Sequence, residues 1–148
     1  MKTMKKTIFF VVLALITSLT TVAQDAKNSS KVKHITYEDF IKEIWDFEKS
    51  PNEFVFKGSV PAVVDFYADW CGPCRMVGPI MEKMAEDYDE ELTVYKVNVD
   101  QEKKLASVFQ VRSIPMVLFI PKEGQPMKQV GSLPEAEYRR IIEEKLLE

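Results

Sequence analysis

The chain has no cysteine beyond Cys71 and Cys74, and only one histidine, His34. A structural zinc site takes four ligands, so one cysteine pair and a distant imidazole do not make one, and no metal is expected. One pair cannot build a disulfide framework either, since a bridge closing so short a loop restrains the unfolded chain little. The longest apolar run, Ile8 to Ile16, is far shorter than the roughly 18 residues a membrane span needs. There are no internal repeats and no low-complexity segments. Basic residues are in deficit, 20 against 23 acidic ones. Three of the lysines stand in the first six residues, so the chain after Ala23 carries a formal net charge of −6 rather than −3. An acidic surface does not attract nucleic acid or an anionic membrane, and neither is expected as a partner. Solubility alone accounts for the excess.

What is present begins with a leader. Met1 to Lys6 is basic, Ile8 to Ile16 is apolar, and Thr21-Val22-Ala23 puts small residues where a signal peptidase reads them. Residues 1–23 are therefore expected to be a signal peptide cleaved after Ala23, sending the chain to the periplasm. A retained N-terminal anchor is the alternative. Gln24, not cysteine, follows the cut, which disfavours a lipoprotein. Residues 24–31 are polar and are expected to be a disordered spacer. Residues 32–148 are expected to form one domain.

Within that domain the two cysteines sit between a strand and a helix. Pro61 to Tyr67 is short, β-branched and aromatic, as a buried strand is. Val77, Ile80, Met81, Met84 and Tyr88 recur at three- and four-residue steps, which predicts a helix to about Asp87. Cys71 thus falls at or just before a helix N-terminus, where free N–H groups and the helix dipole favour a thiolate. A thiol so placed drops from about 8.5 into a range of roughly 3.5 to 7.5. Cys71 is then the expected nucleophile and Cys74, a turn further in, the resolving thiol. Gly72 permits close approach of another chain, and Pro73 near the helix start sacrifices no helical bond. Asp65 lies mid-strand in an apolar run. Burial raises a carboxyl pKa, and a raised carboxyl suits proton transfer near neutrality.

The run Val63-Val64-Asp65-Phe66-Tyr67-Ala68-Asp69-Trp70-Cys71-Gly72-Pro73-Cys74-Arg75-Met76 resembles thioredoxin almost residue for residue. The resemblance implies an α/β fold, a thioredoxin-like mixed β-sheet flanked by helices on both faces. It implies thiol–disulfide exchange with disulfide-containing or dithiol protein substrates, fed by a membrane or soluble thiol electron donor, in a monomer without cofactor. Asp65 matches the family's buried aspartate, which moves a proton to and from the resolving cysteine. Lys96 corresponds to the lysine near that aspartate, although a lysine there can equally snorkel to the surface. Ile114-Pro115 matches the cis-proline loop facing the cysteines, where composition alone would say trans. Gly131 matches a glycine beside the site. Trp70, Gly72, Pro73, Ile114, Pro115 and Gly131 are then the expected substrate contacts, the backbone of Ile114 pairing with an extended segment. Ser113 and Met116 depart from the residues frequent at those positions. Gly-Pro between the cysteines resembles reducing members, so the expected direction is reduction. A net oxidant or isomerase, or a redox-silent binding module on the same fold, are the alternatives.

Elsewhere the patterns are coarser. Val32 to Ile35 alternates like a short edge strand, with His34 a solvated residue. Thr36 and Asp39 predict a capped helix to about Phe47, burying Phe40, Ile41, Ile44 and Trp45. Residues 48–60 are an insertion in which Phe54-Val55-Phe56 could pair as a strand. Met76, Met81 and Met84 are expected as core filler. Leu92 to Val99 is a strand, Asp100 opens a short helix, and Val117 to Ile120 is the next strand. Met127 to Val130 is expected as a hairpin edge. Ser132 and Glu135 predict a capping box on the last helix, with Tyr138, Ile141, Ile142 and Leu146 facing inward.

Overall fold

The computed structural model describes residues 30–148. The leader, its cut after Ala23 and spacer residues 24–29 lie outside the described residues. Strands and helices alternate: β1 (Lys33–His34), α1 (Tyr37–Glu43), β2 (Ala62–Tyr67), α2 (Cys74–Asp87), β3 (Thr93–Asn98), α3 (Lys103–Val108), β4 (Met116–Ile120), β5 (Met127–Val130) and α4 (Glu135–Lys145). The sheet order is β1-β3-β2-β4-β5. β1 and β2 run parallel to β3, while β4 and β5 add in antiparallel fashion. A parallel pair needs a crossover, and α2 supplies it between β2 and β3.

Strand alternation then builds two cores. Val63, Val94, Val117 and Phe119 face α2 and α4, meeting Val77, Met81, Met84, Tyr138 and Ile142. Val64, Phe66, Val97 and Leu118 face α1 and α3, meeting Phe40, Ile44, Leu105 and Phe109. β2 lies in the middle, buried on both faces, which is why it reads as an apolar run interrupted only by Asp65. Helices on both faces of a mixed sheet are the expected architecture.

Several local expectations are corrected. Helix α1 ends at Glu43, short of Phe47, because the N–H groups of Ile44 and Trp45 both bond the Phe40 carbonyl. The Ile44 carbonyl then accepts the Lys57 N–H at 2.9 Å, drawing the end of the insertion back onto the helix. Phe54 to Phe56 forms no strand. Those rings join Trp45, Phe47 and Phe109 in an aromatic cluster, and Trp45 Nε1 donates to the Glu53 carbonyl at 2.9 Å. Met76 is 60% exposed, whereas Met81 and Met84 are buried. Helix α3 starts at Lys103, not Asp100, since Asp100 is held in a turn by Asn98 Oδ1 at 3.0 Å. The capping box forms at Thr36 and Asp39 but not at Ser132. Helix α4 has Pro134 at its N-cap, and Glu135 turns outward to Lys83 and Arg139.

Candidate active site

Cys71 and Cys74 are joined in a disulfide, with Cα atoms 5.3 Å apart. The turn after β2 brings them to the start of α2. Cys71 donates its N–H to the Ala68 carbonyl at 3.1 Å, and the carbonyls of Gly72 and Pro73 accept the N–H groups of Arg75 and Met76. Cys74 is the first residue of α2 rather than a turn inside it. Its N–H donates to Cys71 Sγ at 3.2 Å. Exposure does not tell the two apart, at 3% and 5%. The asymmetry between the sulfurs is that hydrogen bond: one receives a helix N–H.

Around the bridge lie Tyr67, Ala68, Val99 and Ile114. Ile114–Pro115 is cis, and the Pro115 carbonyl accepts the Gly131 N–H at 2.8 Å. Gly131 has φ +86°, a conformation that favours glycine. Gly72 and Pro73 are exposed, and Trp70 is 67% exposed beside the cysteines. The indole is held: Nε1 donates to Asp100 Oδ2 at 2.7 Å, and Asn98, which fixes the Asp100 N–H, donates to Asp69 Oδ2 at 3.2 Å. No sequence spacing announces this linkage, because it joins the β2–α2 turn to the end of β3.

Asp65 is completely buried, and neither carboxylate oxygen has a hydrogen-bond partner among the described residues. Burial pushes its carboxyl up to about 6, with the Lys96 ammonium pulling the other way. Lys96 is its register partner on β3 and is half-buried. Lys96 lines a groove of about 830 Å³ together with Tyr67, Cys74 and Gly78. His34 is exposed on edge strand β1. Among the described residues no cluster of His, Cys, Asp or Glu could hold a metal.

A vicinal disulfide-forming pair at a strand-to-helix turn, with a buried carboxyl in the preceding strand, defines a site for thiol–disulfide exchange. The family model named thioredoxin matches residues 44–144. Thioredoxin from Borreliella burgdorferi is 43% identical over 110 residues, spanning 74% of this chain and 93% of that protein. Thioredoxin 1 of Synechococcus elongatus is 41% identical over 93 residues, 62% of this chain and 86% of that one. The crystal structure of chloroplastic thioredoxin z superposes with a TM-score of 0.63 at 26% identity, covering 78% of this chain and 95% of that chain. The chain belongs to the thioredoxin family and is a thiol–disulfide oxidoreductase.

Proposed function

We propose that this chain is an exported, periplasmic reductant of protein disulfides, with Cys71 as nucleophile and Cys74 as resolving thiol. Once the pair is reduced, the Cys71 thiolate attacks one sulfur of a substrate disulfide. That S–S bond breaks, a mixed disulfide forms, and the first substrate thiolate leaves. Asp65 takes the proton of the Cys74 thiol, and Cys74 attacks Cys71. The Cys71–Cys74 bond forms as the second substrate thiolate departs, so the substrate has gained two electrons. Lys96 sets how readily Asp65 carries the proton. Trp70, Gly72, Pro73, Ile114, Pro115 and Gly131 make the surface against which the substrate segment lies. A thiol donor, membrane-bound or soluble, restores the dithiol.

The single observation that carries the order of attack is the Cys74 N–H bonded to Cys71 Sγ. The same N–H, at the positive end of α2, would stabilise a Cys71 thiolate. Reduction is supported by Gly72-Pro73 between the cysteines. Reducing thioredoxins sit near −270 mV against about −120 mV for a strong oxidant, a gap of about 7 kcal/mol. The leader favours a second reading. It directs the chain to a compartment where disulfides persist, and without a donor the same site would donate bonds. Equilibration of the mature protein with glutathione buffers decides the intrinsic bias. A potential near that of reducing thioredoxins is expected, and one near the strong oxidants would reverse the assigned direction. Signal-peptide processing is checked by the N-terminal sequence of the exported protein, expected to begin at Gln24. A chain recovered with Met1 in the membrane would instead be anchored.

A further inference from the structure

The Lys96 ammonium has no hydrogen bond and no ion pair among the described residues, yet it does not project freely into water. Nζ lies 4.4 Å from the centroid of the Tyr67 ring. Helix α2 also passes close by at a residue without a side chain: a Cβ added to Gly78 would stand 3.5 Å from Nζ. A lysine stem is long and its ammonium prefers water. Here the ring face, which attracts a cation, and the bare backbone of Gly78 together define a slot for it.

The register explains why the slot matters. Lys96 on β3 is paired with Asp65 on β2 and with His34 on β1, so the three share one face of the sheet. Tyr67, two residues beyond Asp65, shares it too, and its hydroxyl lies 3.4 Å from His34 Nδ1. We propose that Tyr67 is a positioning residue of the exchange reaction, holding the Lys96 ammonium in the slot under Gly78 so that it faces the Asp65 carboxylate. The inference rests on the proton-carrying role given to Asp65 above. The groups facing Asp65 are Lys96 from β3, Tyr67 from β2 and Tyr138 from α4, whose phenol feels the Asp65 charge; Cys74 at the start of α2 shares the groove with Tyr67 and Lys96. β4 offers only Val117 opposite it. Lys96 is the one cation of the set.

The test follows the Asp65 carboxyl carbon by NMR through a pH titration of the oxidised protein. Tyr67→Leu should raise the midpoint by about half a unit to one unit, since an opposite charge nearby is worth about 1 to 3 units. Tyr67→Phe keeps the ring and should leave the midpoint in place. Lys96→Met should raise it at least as far as Tyr67→Leu does, and adding Tyr67→Leu to Lys96→Met should do nothing more. An unmoved midpoint in Tyr67→Leu, or a shift that persists without Lys96, overturns the assignment. The unmodified protein gives an independent readout if Tyr67→Leu does not fold: ring current should move the Lys96 ε-protons upfield, and ordinary shifts would contradict the slot. The proton role is separated by the rate at which Cys74 resolves a mixed disulfide. If Asp65→Asn resolves at the normal rate while the titration behaves as stated, the positioning stands and the reading of Asp65 as proton carrier falls.

Discussion

Asp65 is the residue on which folding and chemistry disagree. A carboxylate with no partner, buried between α2 and the sheet, is costly whenever it is charged. Its carboxyl is raised from the ordinary 3.8 to about 6, so the folded protein holds the proton more tightly than the unfolded chain. Below the ordinary range both states are protonated and the cost vanishes. It grows as pH rises from about 4 to about 6 and is complete above that, at about 3 kcal/mol by the linkage relation. Asp65→Asn should therefore stabilise the oxidised protein by as much as about 3 kcal/mol at pH 8 and by little at pH 4. Urea midpoints at the two pH values check this, and an equal effect at both would mean that Asp65 does not titrate in the window. The position of Asp65 was legible because an acid in the middle of an apolar strand stands out in the sequence. The Tyr67–Lys96 contact and the Asp100 hold on Trp70 were not legible. Both depend on which residues of separate strands and turns come to lie side by side, and that register is a property of the assembled sheet.

At the level of elements, two similar signatures had different fates. Thr36 with Asp39 and Ser132 with Glu135 both look like capping boxes. In the first, Thr36 Oγ1 accepts the Asp39 N–H at 3.3 Å and the Asp39 carboxylate accepts the Thr36 N–H at 3.0 Å. In the second, the carbonyl of Pro134 serves the N–H groups of Glu137 and Tyr138, and Glu135 pairs with cations instead. Thr36→Ala should cost about 1 kcal/mol, and Ser132→Ala no more than about 0.5 kcal/mol. Thermal or chemical unfolding of the two variants compares them directly, and equal losses would contradict the caps described here. The strand expected over Phe54 to Phe56 failed for a related reason. Its alternating aromatics suit a strand, but the aromatic cluster around Trp45 captures the rings instead. Local pattern identified α2, β2 and the buried face of α4 correctly, because there the pattern and the tertiary packing ask for the same thing.

For the whole molecule, both faces of the sheet carry a core, but the chemistry lies on only one of them. The core facing α1 and α3 holds Phe40, Phe66 and Phe109, whereas Asp65, Lys96 and the slot at Gly78 belong to the face covered by α2. Phe40 is completely buried, so Phe40→Ala should cost about 3 to 5 kcal/mol. A domain of this size typically has about 5 to 15 kcal/mol in hand, so the variant should stay folded at low temperature. Its melting temperature should fall while insulin reduction, assayed well below the transition, stays near normal. A proportional loss of activity would show that the two faces are coupled. The α/β layering was legible from the alternation of strands and helices, and its thioredoxin type from the resemblance carried by residues 63–76. The order of attack at the bridge is tested directly by trapping. Cys74→Ala and Cys71→Ala should each be incubated with a disulfide substrate and the adducts resolved by mass. Cys74→Ala should accumulate a stable mixed disulfide through Cys71, and Cys71→Ala almost none. Equal trapping by both, or trapping through Cys74 alone, would contradict it.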